Sequence, residues 1–310
     1  MVDDILITLL QVATLFIMMA VGILLSRFKM VDAAGVKQMT KILLYVVMPC
    51  VMINAFEIEF DKEKLTGIFI MLLCSVLSLT AAIIISLFFF TKSENKNIYR
   101  FSIVYSNCGF LAIPLTNAIV GEEGVFYAII YLVVFQIFSW THGVVLMSGD
   151  KKLISLKNIF INPGIIGAIL ATIIFVFSIK LPFPISESIR MIKDINTPLA
   201  MIVIGVSIAG MNISSMLRNK KLYFASSLRL LVIPVITMVI LFFLPIPPVI
   251  FITVMIPVCA PTAATIVLFA ANYNKDTVLG SQVMTCSIIF SIITMSIIIG
   301  TVKILSKIII

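Results

Sequence analysis

The chain has 310 residues, of which 61% are hydrophobic and only 12% are charged. An ordinary soluble domain carries roughly 25% charged residues, so this chain has too few charges to cover a soluble surface. Its net charge of +8 comes without the interleaved aromatic residues that a nucleic-acid surface requires. These features exclude a soluble protein or a nucleic-acid partner and indicate an integral membrane protein surrounded by lipid.

Apolar residues fall into ten runs, each long enough to cross a bilayer at about 20 residues per helix. The first run follows Asp3 and Asp4 rather than basic residues and lacks a small-residue cleavage site. We therefore interpret it as a spanning helix and not as a secretion signal. The predicted spans lie near 5–25, 38–56, 65–90, 100–120, 125–148, 161–180, 189–210, 222–244, 247–271 and 277–302.

The connections between these spans alternate in charge. One set, counted with Arg229, carries 15 of the 22 Lys and Arg residues, whereas the other set and the termini carry 10 of the 14 acidic residues. Basic connections favour the cytoplasmic side of a membrane. We therefore predict a multi-pass protein of the plasma (cell inner) membrane with both termini outside.

A basic connection at 149–160 divides the spans into two sets of five, over residues 1–148 and 161–310. Because five is an odd number, the second set enters the membrane from the side opposite to the first. Inverted repeats of this kind are typical of secondary transporters. The predicted fold is all-α, with ten transmembrane helices arranged as two inverted five-helix repeats.

The fourth and ninth spans are interrupted at matching positions. Asn107, Gly109 and Pro114 interrupt the fourth span, and Pro257 and Pro261 interrupt the ninth. A proline inside a helix costs about 3 kcal/mol or more. Interrupted spans at corresponding positions of two halves indicate a binding site. Two ordinary proline kinks are the alternative, and the matched positions favour the site.

These interruptions also indicate the charge of the ligand. Pro114 suits the first turn of a new half-helix, because proline lacks the donor that would be left unpaired there. If Pro261 opens a second half-helix, two N-termini meet, each with about half a unit of positive charge. Asn107 and Thr262 could add side-chain donors. An anionic substrate is therefore favoured.

Other polar residues inside the spans are few. Apart from Asp194, near the start of the seventh span, no Asp or Glu lies within a predicted span, which argues against a carboxylate proton relay. His142 could titrate near neutral pH or have a structural or interfacial role. Arg229, inside the eighth span, could snorkel to the headgroups or guide an anion. In the fifth span, Gln136 is the residue expected to reach the substrate pathway.

Residue patterns for catalysis or metal binding are missing from the sequence. It has neither an HExxH motif nor a pair of membrane aspartates, so we predict no enzyme, no metal site and no cofactor. The cysteines show no CxxC spacing and are predicted to be small buried thiols. They are Cys50, Cys74, Cys108, Cys259 and Cys286.

Several segments, in this order along nearly the whole chain, resemble the auxin efflux carrier family, whose bacterial members include malate- and malonate-permease-like proteins. They are LLYVVMPCVMINAF, SNCGFLAIPLTNAIVGEEG, FQIFSWTHGVVL, NPGIIGAIL, LPFPIS, NTPLAMIVIGVSIAG, RLLVIP and APTAATIVLFAANYN.

This resemblance implies a fold like that of bile-acid sodium symporters, in which helices 4 and 9 break and cross at the substrate site. It also implies a scaffold of the first, second, sixth and seventh helices, through which a homodimer can form. Two departures from the family argue against auxin itself, Gln136 in place of Asn and Ile266 in place of a second crossover proline. The implied crossover residues are Asn107, Cys108, Gly109, Pro114, Pro261, Thr262, Ala263 and Ala264.

The sequence thus predicts a secondary transporter of small organic anions, such as mono- or dicarboxylates, by alternating access at the helix 4/9 crossover. Electrogenic uniport and Na+ coupling through carbonyl groups at the broken helices both stay open. The alternatives are a sodium-coupled bile-acid-type symporter and a ligand-binding membrane sensor that uses the carrier fold.

Overall fold

The computed structural model of the protein describes residues 2–154, 161–210, 216 and 218–307, with the side chains of 2–8 and 33 left out. Every named element within these residues is helical. The α-helices are α1 (Val2–Arg27), α2 (Ala33–Ile42), α3 (Met48–Phe56), α4 (Lys62–Leu87), α5 (Lys96–Val104), α6 (Ile113–Val120), α7 (Glu122–Phe138), α8 (Val144–Ser148), α9 (Pro163–Val176), α10 (Phe183–Asp194), α11 (Asn196–Ala209), α12 (Lys220–Ser227), α13 (Ile233–Phe242), α14 (Pro248–Cys259), α15 (Thr265–Asn272) and α16 (Thr277–Ser306).

By length and composition, seven helical segments of the described chain could cross a membrane. The spans expected at 100–120 and 247–271 are not among them, because each is divided into two helices. The span expected at 161–180 is a 14-residue helix, α9. The seven segments are Leu9–Arg27, Ala34–Phe56, Lys62–Leu87, Glu122–Ser148, Phe183–Ala209, Lys220–Phe242 and Thr277–Ser306, and the shorter apolar helices are Cys108–Val120, Pro163–Val176 and Pro248–Cys259.

Two boundaries differ from the sequence prediction. The second segment begins at Ala33 rather than at 38, where the Asp32 carboxylate caps the helix by accepting from the Gly35 amide. The seventh begins at Phe183 rather than at 189, because Pro182 and a proline within the first turn favour a helix start there. Of the connection expected at 149–160, residues 155–160 lie outside the described part of the chain.

Proline positions explain most of the widened turns. A proline ring clashes with the carbonyl one turn back and has no N–H to donate, and a π-helical turn removes this conflict without ending the helix. Three of the π turns in the described chain end two residues before a proline. They are Leu43–Val47 before Pro49, Cys108–Ala112 before Pro114 and Leu228–Val232 before Pro234.

The helices pack in two groups. In the first, α1 lies along α11, and α3 contacts both α9 and α10. In the second, α16 packs against α14, which also contacts α7, and the contact between α16 and α1 joins the two groups. The helices on either side of the two interruptions, α5, α6, α14 and α15, belong with the second group, so the interruptions lie inside protein rather than at its surface.

Helices α1 and α11 approach most closely at Gly22 and Gly205. A Cβ atom on Gly205 would collide with the backbone carbonyl of Met19, and one on Gly22 with the carbonyl of Ile202. Small residues allow such backbone contact between membrane helices, where packing replaces the hydrophobic effect. The pair therefore fixes how α1 lies on α11.

We predict that Gly205→Ala destabilises the protein by about 1–3 kcal/mol, since backbone atoms of α1 must move to admit the methyl group. Gly210→Ala is the matched control, because the nearest atom to its Cβ lies 3.9 Å away. Thermal unfolding in detergent should show a lower melting temperature for Gly205→Ala only. Equal melting temperatures for the two variants would contradict this view of the α1–α11 contact.

Candidate functional site

Two extended segments meet where the fourth and ninth spans are interrupted. Helix α5 ends at Val104, and helix α14 ends at Cys259. Between these ends and the next helices, Ser106 and Thr262 form an antiparallel β-bridge. The Asn107 amide donates to the Pro261 carbonyl at 2.7 Å, and the Ala263 amide donates to the Tyr105 carbonyl at 2.9 Å. Each segment therefore satisfies backbone groups that the other leaves unpaired.

The second half of the fourth span begins earlier than its proline suggests. A π turn at Cys108–Ala112 precedes α6, and Asn107 is its N-cap. The Asn107 side-chain oxygen accepts from the Phe110 amide at 3.3 Å. Pro114 thus lies inside the continuous helical segment 108–120 rather than at its start. The expectation that Pro114 opens the half-helix is corrected, and Asn107 does so.

The Asn107 side chain has one free polar group. It is 4% exposed, and its Nδ2 atom is buried without a hydrogen-bond partner. The Thr265 hydroxyl, at the first residue of α15, is also buried and unpartnered. A buried donor without a partner costs about 1–3 kcal/mol. Both groups lie at the start of a half-helix, where backbone N–H groups also lack helical partners.

A cavity of about 520 Å³ lies beside these two half-helix starts. From the crossover, Asn107, Cys108 and Gly109 line one part of its wall, and Ala263, Ala264 and Thr265 line another. The remaining wall includes Met48, Met52, Leu132, Gln136, Ser139, Trp140, Asn162 and Tyr273. The cavity is therefore mostly apolar with a few polar groups, some at the crossover and some on the rest of the wall, as ligand sites usually are.

Gln136 reaches this cavity from α7. Its side-chain oxygen accepts from the Asn162 amide group at 3.4 Å, so the two residues form a polar pair on the wall opposite the crossover. Gly109 also lines the cavity, but its φ is not positive and a Cβ atom there would come no closer than 3.7 Å to its neighbours. Neither backbone strain nor crowding requires a glycine at this position.

Three of the expected site residues lie away from this cavity. Pro114 lines a second cavity instead. Pro261 and Thr262 line neither cavity. The Thr262 hydroxyl donates to the Ser102 carbonyl at 3.1 Å, and its amide donates to the Ser287 hydroxyl at 3.0 Å. Thr262 therefore links α5 and α16 to the crossover. Its hydroxyl already donates to a protein carbonyl and is not free to donate to a ligand.

Arg229 is the residue whose position the sequence did not reveal. Its side chain is 1% exposed, so the snorkelling interpretation is wrong. Its guanidinium donates to the Ile103 and Val104 carbonyls at 3.1 and 3.3 Å. It also donates to the carbonyls of Pro257, Val258 and Ala260 at 3.3, 2.6 and 3.0 Å. The only available signal was a charge well inside an apolar span.

The histidine contacts the crossover indirectly. The Tyr105 hydroxyl donates to the Phe138 carbonyl at 2.8 Å and lies 2.9 Å from Nδ1 of His142. His142 itself does not line the cavity. The contact joins the π turn at Ser139–Gly143 to the extended segment at Tyr105.

A second cavity of about 450 Å³ lies on the other side of the crossover helix. Ile113 and Pro114 line it, together with Asn54, Asn117 and Asn196. The side-chain oxygen of Asn196 is buried without a partner. The charged residues on its wall are Lys64, Glu122, Glu123, Lys193 and Asp194. The two cavities thus approach the same helical segment, 108–120, from opposite ends.

Together, the fold and the site define an all-helical, multi-pass membrane protein with two broken helices that meet beside a cavity. The family model described as membrane transport protein matches residues 7–299, and the chain belongs to this family. It is the family of auxin efflux carriers that the sequence resembles, and it consists of transporters rather than enzymes. A search of curated proteins found no match.

We predict that Ser287→Ala destabilises the crossover by about 1–3 kcal/mol, because the Thr262 amide loses its acceptor in a buried position. Ser291→Ala is the matched control. Ser287 and Ser291 are both buried and bond to a carbonyl of their own helix, but the Ser291 hydroxyl receives no bond from the crossover. Melting temperatures should fall for Ser287→Ala and stay near the parent value for Ser291→Ala. A reversed order would refute this role of Ser287.

Proposed function

We propose that the protein is a secondary transporter of small organic anions, such as mono- or dicarboxylates, which bind in the larger cavity at the crossover. The observation that carries this proposal is Asn107, a residue of the cavity wall whose buried Nδ2 has no hydrogen-bond partner. A carboxylate oxygen accepts hydrogen bonds only, so it matches a donor that has no partner within the protein.

The surroundings of Asn107 favour a negative ligand in a second way. Two half-helices begin beside the cavity, one at Cys108 and one at Thr265. Their N-termini each carry partial positive charge, equivalent to about half a unit. Anions bind at helix N-termini because the backbone N–H groups there point at the ligand and the helix dipole favours negative charge. The Thr265 hydroxyl and the Gln136–Asn162 pair supply further polar groups to the same cavity.

The two cavities support alternating access. Helix α3 contributes to both, with Met48 and Met52 on the wall of the larger cavity and Val51 and Ala55 on the wall of the smaller one. Three charged residues of the smaller cavity, Lys64, Glu122 and Glu123, belong to connections that we place outside the cell. A shift of the crossover helices against α3 would open the path from one cavity to the other and close it again.

Our topology for this transporter has ten spans in two inverted five-helix repeats, with both termini outside a plasma membrane. The basic connections carry this assignment. The three shorter apolar helices would supply the three remaining spans. They are Cys108–Val120, Pro163–Val176 and Pro248–Cys259. A homodimer through the first group of helices fits the same arrangement.

Sodium coupling through carbonyl groups is the weaker alternative. The carbonyls that the two interruptions free are largely occupied. Those of Tyr105 and Pro261 accept from the opposite segment, and five others accept from Arg229. A cation would have to compete with a guanidinium for these oxygens. Electrogenic uniport is therefore the mode that we propose.

The test is to record currents from proteoliposomes on a solid-supported membrane pulsed with malate, malonate, lactate and an indole acid. The pulses are repeated with and without Na+ and at two pH values. We expect a substrate-dependent current that persists without Na+. A current that requires Na+ would replace uniport by symport. Binding without any flux would favour the membrane sensor and refute the transporter.

We predict that Asn107→Asp reduces this current by at least about tenfold, as expected for the loss of a buried hydrogen bond to a charged ligand. The substitution keeps the oxygen that caps Phe110 and replaces only the free amide nitrogen, so the fold should persist. Asn95→Asp, at a half-buried residue before α5 that lines neither cavity, is the control. Currents near the parent level for Asn107→Asp would place the substrate elsewhere.

A further inference from the structure

Arg229 places an unneutralised positive charge inside the crossover. Its guanidinium donates to carbonyl oxygens only, and none of the ion pairs in the described chain includes it. A buried charge normally has a partner of opposite sign or a functional reason to lack one. The charge therefore requires an explanation beyond packing.

Its partners are the ends of two helices. Ile103 and Val104 are the last residues of α5. Pro257 and Val258 lie in the last turn of α14, and Ala260 is its C-cap. The C-terminus of a helix carries partial negative charge, equivalent to about half a unit. One guanidinium thus offsets two C-termini, whose sum is about one negative charge.

The two helix N-termini at the crossover have no such compensation. The segment that begins at Cys108 continues to Val120, and α15 covers eight residues from Thr265. Their starts lie beside the larger cavity, whose wall includes Asn107 with its unpartnered, buried Nδ2. Without Arg229, the four helix ends would sum to about zero, and the crossover would have no preference for either sign of charge.

We propose that Arg229 is the specificity-determining residue of the transporter, because it leaves the crossover with about one net positive charge. The substrate class that this arrangement fits is the monoanion, a molecule with a single carboxylate ionised at neutral pH. The inference deepens the proposed function. It rests on that function only for the assumption that the substrate carries a carboxylate. Arg229 does not touch the substrate and acts through the potential of the helix ends.

The potential can be measured without knowing the substrate. The five native cysteines are replaced, and Ala264→Cys introduces a single thiol on the cavity wall, at a half-buried position before α15. Two reagents of similar size then modify it, the anionic 2-sulfonatoethyl and the cationic 2-trimethylammonioethyl methanethiosulfonate. Both react with the thiolate, so the ratio of their rates removes the effect of the thiol pKa and reports the local potential.

We predict that Arg229→Gln lowers the anionic-to-cationic rate ratio at Ala264→Cys by at least about tenfold, since each reagent loses its interaction with a nearby buried charge. Arg229→Lys keeps the charge with fewer donors and should preserve the ratio within about threefold, even if its melting temperature falls. The control thiol is Asn95→Cys, at a half-buried position that lines neither cavity, where neither variant should change the ratio. An unchanged ratio in folded Arg229→Gln would overturn the proposal.

One measurement is independent of the variants. With Arg229 in place, the ratio at Ala264→Cys should exceed that at Asn95→Cys, and a ratio equal or lower would refute the positive potential even if Arg229→Gln does not fold. Transport separates this inference from the proposed function. Carboxylate currents without a potential shift would refute the role of Arg229 alone. A potential shift without current for any carboxylate would refute the transporter alone.

Discussion

Two stretches of backbone without helical hydrogen bonds lie in the middle of an apolar protein, and the site depends on how their polar groups are paired. Unpaired backbone groups cost several kcal/mol each where no water is present. At the bridge between Ser106 and Thr262, two hydrogen bonds pair four of them, the Asn107 and Ala263 amides with the Pro261 and Tyr105 carbonyls. The Ser287 hydroxyl accepts a hydrogen bond from the Thr262 amide, and Arg229 donates to carbonyls at the ends of α5 and α14. The interruptions are stable because each supplies what the other lacks.

The C-terminal and N-terminal helix ends at the crossover differ in how their polar groups are paired. Arg229 satisfies the C-terminal carbonyls of α5 and α14, whereas the starts at Cys108 and Thr265 face a cavity. Asn107 shows the same division within one side chain, since its oxygen caps Phe110 and its nitrogen has no partner. Protein groups therefore offset the negative ends, whereas the positive ends lie beside the cavity in which we propose that the substrate binds.

The interruptions and the apolar segments could be predicted from the sequence, because proline, asparagine and hydropathy are local signals. The position of α10 was harder to predict, since Phe183–Asp194 mixes charged and apolar residues and is not recognisable as part of a span. The direction of the Thr262 hydroxyl and the partners of Arg229 depend on Ser102 and α14, which lie far away in sequence. Contacts of this kind are set by how the helices pack, and no local pattern in one span contains them.

A transporter must bind its substrate and also release it, which limits how strong the site can be. A lysine or arginine that touched the substrate directly would hold a carboxylate with a full charge in a low-dielectric setting. In the function that we propose, the full charge of Arg229 is held by helix C-termini, and the cavity wall carries Asn107 and two helix starts of about half a charge each. Transport requires that the substrate binds tightly enough to enter the site and weakly enough to leave it. An arginine that does not line the cavity would set the sign of the potential there without forming a direct ion pair with the substrate.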